Sequence, residues 1–178
     1  MEQTITQYES IIKKCEDIFA KKLKDYGTSW RILRISSVTD QIFIKAQRIR
    51  SIDQKGTQKI KEDISNEYIG IINYSIIGLI QLELEVAEHA EDLSFSTAMG
   101  LFSQYSNQAK QLMSDKNHDY GEAWKKMRIS SLTDLILQKL LRVKQIENNK
   151  GETLISEGID ANYLDMINYA VFALIKIK

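Results

Sequence analysis

The sequence predicts an all-α fold in which a four-helix unit occurs twice in tandem. The 178 residues include no proline and only 8 glycines, so few positions would interrupt a helix. Apolar residues recur at intervals of three and four over long stretches, which is typical of amphipathic helices. A 28-residue stretch beginning at Asp25 recurs 94 positions later at Asp119 with 14 identical residues, whereas chance would match about one position in sixteen.

The duplication defines the expected domain organisation. We predict that residues 1–92 form the first helical repeat and residues 93–178 the second. Each repeat ends in an apolar helix that a single unit could not cover. The two units should therefore pack about a pseudo-two-fold axis as one bundle with one shared core.

The first repeat is divided into four predicted helices. One apolar stripe predicts a helix over residues 4–24, and a short helix carrying Trp30 follows it. The segment Ser37-Val-Thr-Asp40 resembles a capping box and predicts the start of a third helix. A long helix is predicted over residues 57–88. Its second half is apolar nearly all round, which indicates a buried central element.

The second repeat follows the same plan. Ser94 is a predicted N-cap for a helix over residues 95–116. The short helix and the third helix then recur, and a final apolar helix is predicted over residues 153–178. One residue has been added before this last helix, so positions in it correspond at an offset of 95.

Composition and charge exclude several classes of protein. Lys plus Arg and Asp plus Glu both number 24, so no net charge attracts nucleic acid or an anionic membrane. The most apolar stretch, residues 68–82, is shorter than the roughly 20 residues of a membrane span. A single cysteine, Cys15, fits a reducing compartment, and the N-terminal residues do not resemble a signal peptide. We expect a cytoplasmic protein that folds alone or as a homodimer.

A lysine interrupts the apolar stripe of the third helix in both repeats. Lys45 lies between Ile42 and Ile49 at spacings of three and four, and Lys139 is its copy. An ammonium group withdrawn from water needs an anion beside it. Each lysine also has an arginine three residues further on, so the predicted phosphate-binding residues are Lys45, Arg48, Lys139 and Arg142. The alternative is that carboxylates of the protein itself neutralise these cations.

Carboxylates on the long helices are the candidate metal ligands. Mg²⁺ prefers oxygen ligands and leaves positions for water and phosphate. The predicted metal ligands are Glu62, Asp63 and Glu67 in the first repeat and Glu157 and Asp165 in the second. A solvated helix face, or pairing with the lysines, is the alternative interpretation for each acid.

Three further residue pairs complete the candidate site. Asn73 and Asn168 interrupt apolar segments, and a buried amide must be hydrogen-bonded, so each should brace a helix or touch a ligand. Trp30 and Trp124 could stack on a nucleobase, although packing is the commoner role of such a residue. Asp25 and Asp119, each before Tyr-Gly, could cap the next helix or position a ligand.

The repeated motifs carry a family resemblance. They read KLKDYGTSW, ISSVTD, KAQR and INYS in the first repeat and KNHDYGEAW, ISSLTD, KLLR and INYA in the second. This set resembles the nucleotide modification associated domain 1 family over nearly the whole chain. That family is in turn similar to the all-α MazG-type pyrophosphatases, in which bundle carboxylates bind Mg²⁺ and a nucleoside triphosphate is split into monophosphate and pyrophosphate. At the position of their Glu-x-x-Asp pair this chain has Glu67-x-x-Gly70 in the first repeat and Asn162-x-x-Asp165 in the second, so neither repeat has both acids.

Three functional hypotheses follow from the residues and the resemblance. The first is a Mg²⁺-dependent (deoxy)nucleoside triphosphate pyrophosphohydrolase. The second is a module that senses a nucleotide, or another phosphorylated small molecule, without hydrolysing it. The third is a structural helical interaction protein whose two lysines are satisfied internally.

Overall fold

The computed structural model of the chain describes all 178 residues and consists of helices alone. This confirms the predicted all-α fold, and each predicted short helix is a single 3₁₀ turn. The six α-helices and two 3₁₀ turns are α1 (Glu2–Tyr26), the turn Ser29–Ile32, α2 (Ile35–Lys55), α3 (Ile64–Leu84), α4 (Phe95–Tyr120), the turn Ala123–Lys126, α5 (Ile129–Asn148) and α6 (Ile159–Ile177).

The helices pack as two copies of one unit around a common core. In each repeat the last two helices pair, α2 with α3 and α5 with α6. Helix α3 also packs on α6, α2 on α5 and α1 on α4, so each helix meets its own counterpart. The contact of α1 with α6 is matched by that of α4 with α3. This is the isologous arrangement that a pseudo-two-fold axis requires.

Buried hydroxyl groups join the repeats at the pseudo-two-fold axis. The Tyr68 hydroxyl lies 2.7 Å from the Thr133 hydroxyl, and the Tyr163 hydroxyl lies 2.8 Å from that of Thr39. These two pairs correspond under the repeat offset, and each tyrosine is fully buried. Buried polar groups need such partners, so the pairs fix how α3 and α6 sit against the opposite repeat.

A symmetric pair of ion pairs lies on the surface of the same interface. Arg50 is 3.6 Å from Asp134, and Lys144 is 3.3 Å from Asp40. The offset of 94 residues relates Arg50 to Lys144 and Asp40 to Asp134, so the two ion pairs are equivalent. Because these side chains are largely exposed, the pairs contribute little to stability and mainly document the symmetry.

The last helix of each repeat begins later than predicted. Helix α3 begins at Ile64 instead of residue 57, and α6 begins at Ile159 instead of residue 153. The preceding segments contain apolar side chains, but Ile60, Leu154 and Ile155 are exposed. Helical stability in proteins comes mainly from tertiary packing, and these three apolar side chains do not pack into the core.

The caps of two helices can be compared with prediction. Helix α2 begins at Ile35 without a side-chain cap, so the predicted capping box at Ser37 to Asp40 is wrong. Its Asp40 instead pairs with Lys144, as described above. The predicted N-cap of α4 is confirmed, because the Ser94 hydroxyl accepts a hydrogen bond from the Thr97 amide at 3.1 Å.

The helices can also be compared with the dimensions of a bilayer. None of them combines the length and the apolar character that crossing a membrane demands.

The close approach of α3 to α6 gives a test of the packing. A Cβ atom at Gly78 would lie 2.8 Å from Cζ of the buried Tyr163. The Tyr163 ring cannot retreat because its hydroxyl is hydrogen-bonded to Thr39. We expect Gly78→Ala to lower the free energy of unfolding by about 1–3 kcal/mol, measured by urea denaturation.

The matched control is Gly100→Ala on α4, where the added methyl group would meet nothing within 4 Å. This variant should gain about 0.5–1 kcal/mol, because alanine loses less backbone entropy in a helix. Equal stability of the two variants would contradict the packing described for α3 and α6.

Candidate functional site

A cleft of about 540 Å³ lies beside α3 in the first repeat. Its walls come from α1, the first 3₁₀ turn, α2 and α3. Five of the residues singled out in the sequence line it, namely Trp30, Lys45, Glu62, Glu67 and Asn73. The volume lies within the range of small-molecule sites in proteins.

The charged part of the cleft is built around Glu67. Its Oε1 accepts a hydrogen bond from Arg48 Nη1 at 2.9 Å, and its Oε2 lies 3.7 Å from Lys45 Nζ. Arg48 also donates to the carbonyl oxygens of Ile60 and Glu62 and so holds the segment before α3. The Lys45 side chain is 28% exposed. Its ammonium group is therefore matched by a carboxylate and still reaches the cleft.

The aromatic part of the cleft lies at the 3₁₀ turn. Trp30 is partly buried, and its ring centroid lies 6.1 Å from that of Phe19. Lys45 Nζ lies 5.8 Å from the ring centroid of Tyr74, a cation–π contact across the cleft. Since Trp30 and Tyr74 both line the cleft, one site combines aromatic surface with an ammonium group.

A buried arginine holds the 3₁₀ turn in place. The guanidinium of Arg31 donates to the Gln81 side chain, to the Glu85 carbonyl oxygen at 2.7 Å and to Asp92 at 3.1 Å. In return, Gln81 Nε2 donates to the carbonyl oxygens of Arg31 and Leu33. These bonds tie the turn to the end of α3 and to the connection between the repeats, and thereby position Trp30.

The two buried asparagines brace equivalent helices. Asn73 Nδ2 donates to the Cys15 carbonyl oxygen at 3.2 Å, and Asn168 Nδ2 donates to the Ala109 carbonyl oxygen at 3.1 Å. These bonds join α3 to α1 and α6 to α4 and confirm the predicted bracing role. Asn168 Oδ1 also accepts from the Tyr8 hydroxyl at 2.7 Å. Asn73 Oδ1 has no partner, since the position that corresponds to Tyr8 is Phe102.

The second repeat uses the equivalent residues differently. Asp165 stands where the first repeat has Gly70, and its two oxygens bond Lys116 at 2.6 Å and Lys139 at 2.9 Å. The Lys139 side chain is only 11% exposed. The Trp124 ring stacks on Phe172 at 4.2 Å, with 4° between the planes. Lys139 and Trp124 thus have structural partners within their own repeat.

The remaining candidates lie apart from the first-repeat cleft. Lys139, Arg142 and Glu157 line a separate hollow of about 1160 Å³ between α5 and the segment before α6. Asp63 caps α3, where its Oδ1 accepts from the Ser65 amide at 3.0 Å. Asp25 and Asp119 are exposed near the ends of α1 and α4, and neither lines the cleft.

The candidate metal ligands are distributed over both repeats. No group of three or more His, Cys, Asp or Glu side chains is placed so that it could hold a metal ion. Only Glu62 and Glu67 line the cleft. Mg²⁺ that is bound together with substrate phosphates needs only one or two protein carboxylates. The cleft therefore contains no preformed metal cage, and Glu62 and Glu67 are the two predicted ligands that could contribute to holding an ion there.

Lys22 and Tyr74 also line the cleft, although neither was among the predicted site residues. Lys22 and its copy Lys116 are the first letters of the two KxxDYGxxW motifs, and Tyr74 and Tyr169 are the last letters of the repeated INY. Because both residues recur in the second repeat, recurrence could have identified them as candidate site residues. A surface lysine at the end of a helix gives no periodic sign that it faces a site.

Comparisons with known proteins extend this description. The family model described as nucleotide modification associated domain 1 matches residues 22–82 and again residues 116–177. The two matches coincide with the two repeats and together include most of the chain. No curated protein and no solved structure matches the chain.

The different surroundings of the two tryptophans can be tested by fluorescence. In Trp124→Phe the only indole is the partly buried Trp30, whereas in Trp30→Phe it is Trp124, which is 6% exposed. We expect acrylamide to quench Trp124→Phe more strongly, because quenching requires collision with the ring. Equal quenching constants in the two variants would contradict the difference between the repeats.

Proposed function

Because the chain belongs to the nucleotide modification associated domain 1 family, we propose that it binds a nucleotide in the first-repeat cleft. The observation that carries this proposal is the order of groups along α3. The ammonium group of Lys45 lies beside its first two turns, near Glu67 and Gly70, and apolar and aromatic side chains lie further on, from Tyr74 to Ile77. A nucleotide has the same polarity, with anionic phosphates at one end and an aromatic base at the other.

The base end of this proposed site is the 3₁₀ turn. Stacking of a base on an aromatic side chain contributes about 1–3 kcal/mol and tolerates every base. Trp30 is suited to this role, because the Arg31 bonds hold its turn and its ring is only partly buried. Trp124 is not, because Phe172 already covers one of its faces.

The phosphate end is Lys45. Its contact with Glu67, at 3.7 Å, is longer than a hydrogen bond of good geometry. An incoming phosphate can therefore attract the Lys45 ammonium while Arg48 keeps its hydrogen bond to Glu67. Glu67 would then present one oxygen to Mg²⁺ carried by the phosphates, and Glu62 lies in the same cleft.

We further propose that the nucleotide is a triphosphate and that it is cleaved between its α and β phosphorus atoms. This proposal rests on the resemblance to MazG-type pyrophosphatases. Water attacks the α phosphorus and its oxygen stays on the monophosphate, while the bridging oxygen leaves with pyrophosphate. Glu62 takes up the proton that the water loses, since it has no ion pair and Glu67 has two. Bound Mg²⁺ would neutralise the developing phosphate charge.

A second candidate function is nucleotide sensing without hydrolysis. The observation that favours it is that Lys45 and Arg48 neutralise Glu67 and that no cluster of three acidic side chains exists. Binding to the cations and the aromatic side chain of the cleft then yields no product.

Nucleotide binding is tested with the Trp124→Phe variant, in which Trp30 is the only indole. We expect saturable quenching by at least one nucleoside or deoxynucleoside triphosphate in the presence of Mg²⁺. Lys45→Met should weaken that binding at least about tenfold, because it removes a charge-assisted contact to phosphate. Lys21→Met is the control, since Lys21 is exposed on α1 outside the cleft. The proposal fails if no nucleotide alters the fluorescence or the melting temperature.

Hydrolysis is tested by pyrophosphate release from a panel of triphosphates, with Mg²⁺ and with a chelator. Glu62→Gln should lower kcat about 10²-fold or more while nucleotide binding persists, as expected for loss of a general base. The matched control is Glu157→Gln, the equivalent acid of the second repeat, which lines the separate hollow and should leave the rate unchanged. Binding without any pyrophosphate release by the wild type would favour the sensing function.

A further inference from the structure

Two lysines of the second repeat enclose one buried carboxylate. Lys116 reaches Asp165 Oδ1 from α4 at 2.6 Å, and Lys139 reaches Oδ2 from α5 at 2.9 Å. Asp165 is only 5% exposed, so its charge depends on these two ammonium groups. Lys116 and Lys139 thus form an anion-binding site that is filled by a carboxylate of the protein itself.

The first repeat has the same two lysines without that carboxylate. Lys22 and Lys45 correspond to Lys116 and Lys139, and both line the cleft. The position of Asp165 is occupied by Gly70, so close under Lys45 that a Cβ atom there would lie 2.8 Å from Lys45 Cδ and Cε and 3.1 Å from Nζ. Lys22 has no ion pair, and Lys45 turns along α3 to reach Glu67 at 3.7 Å.

A second difference between the repeats concerns the aromatic end. Ile77 corresponds to Phe172, on which the Trp124 ring stacks. In the first repeat the smaller Ile77 lines the cleft beside Trp30. At both ends, therefore, the second repeat contains a side chain of its own where the first repeat has a smaller residue. At Gly70 the flexible end of the Lys45 side chain lies in that space, so an anion enters there when this end moves aside.

We propose that the anionic group of the ligand binds above Gly70 between Lys22 and Lys45, in the place that the Asp165 carboxylate has in the second repeat. The ligand class is a phosphate monoester or polyphosphate, and each chain holds one such group. The proposal rests on the proposed nucleotide binding and locates the phosphate within it. It makes Asp165 a built-in substitute that keeps the second site closed to ligand.

The decisive experiment exchanges the two residues. Gly70→Asp places a carboxylate under Lys45, and we expect it to weaken the binding of triphosphate and of inorganic pyrophosphate at least about 30-fold. The new side chain displaces only the flexible end of Lys45. The melting temperature of the variant should equal or exceed that of the wild type, because the new carboxylate then gains two ammonium partners. If Gly70→Asp keeps its melting temperature, weaker binding is due to a blocked site and not to unfolding of the protein.

The reverse variant, Asp165→Gly, should open the second site. In isothermal titration calorimetry with inorganic pyrophosphate, we expect the number of sites per chain to rise from one to two. Inorganic phosphate should also raise the melting temperature of Asp165→Gly by several degrees more than that of the wild type, because it replaces the lost counter-charge. Lys21→Met again serves as the charge control.

The outcomes distinguish this inference from the proposed function. If the wild type binds a nucleotide and Gly70→Asp binds it equally well, the anion position is wrong and nucleotide binding stands. If pyrophosphate binds and Gly70→Asp abolishes that binding while no nucleotide binds, the anion position stands and the nucleotide proposal fails. An Asp165→Gly variant that folds but binds no additional pyrophosphate would also overturn the inference.

Discussion

The structure depends on the need to cover two helices that are apolar on nearly every side. Helix α3 has 13 buried residues and α6 has 12, and a helix of this kind is stable only when it is surrounded. One repeat supplies too few neighbours. Packing α3 against α6, with α2, α5, α1 and α4 around them, covers both helices at once. The burial requirement therefore turns a tandem duplication into one domain.

The same requirement explains why a cleft exists. Coverage of α3 is incomplete where α1, the 3₁₀ turn and α2 diverge, and the side chains there include Lys45 and Glu67. In the second repeat the corresponding part of α6 is covered by its own Asp165 and by the stack of Trp124 on Phe172. Duplication allows this divergence, because each copy can change its side chains separately. Each of the two lysines has a carboxylate of the protein beside it, Glu67 at 3.7 Å from Lys45 and Asp165 at 2.9 Å from Lys139.

Much of the candidate site could be predicted from recurrence alone. Lys45, Trp30 and Asn73 were identified because each has a copy in the other repeat, and all three line the cleft. The acids were harder to predict, because Glu67 and Asp165 occur in one repeat each and pair with lysines of their own repeat. A list of acids along a sequence does not show which of them share a space. Of the five predicted metal ligands, only two therefore lie in the same cleft, and they form no cluster that could hold a metal ion.

The sequence by itself determined the helical class, the duplication and the polar positions that interrupt apolar stripes, since these depend on local periodicity and on comparison of the chain with itself. Only the tertiary structure decided that Lys139 shares the buried Asp165 with Lys116, whereas Lys45 contacts Glu67 and lines the first-repeat cleft. The physical reason is that the partner of a side chain is set by what packs opposite it. Gly70 offers Lys45 no carboxylate and lies against the flexible end of its side chain, whereas Asp165 offers a carboxylate to Lys139.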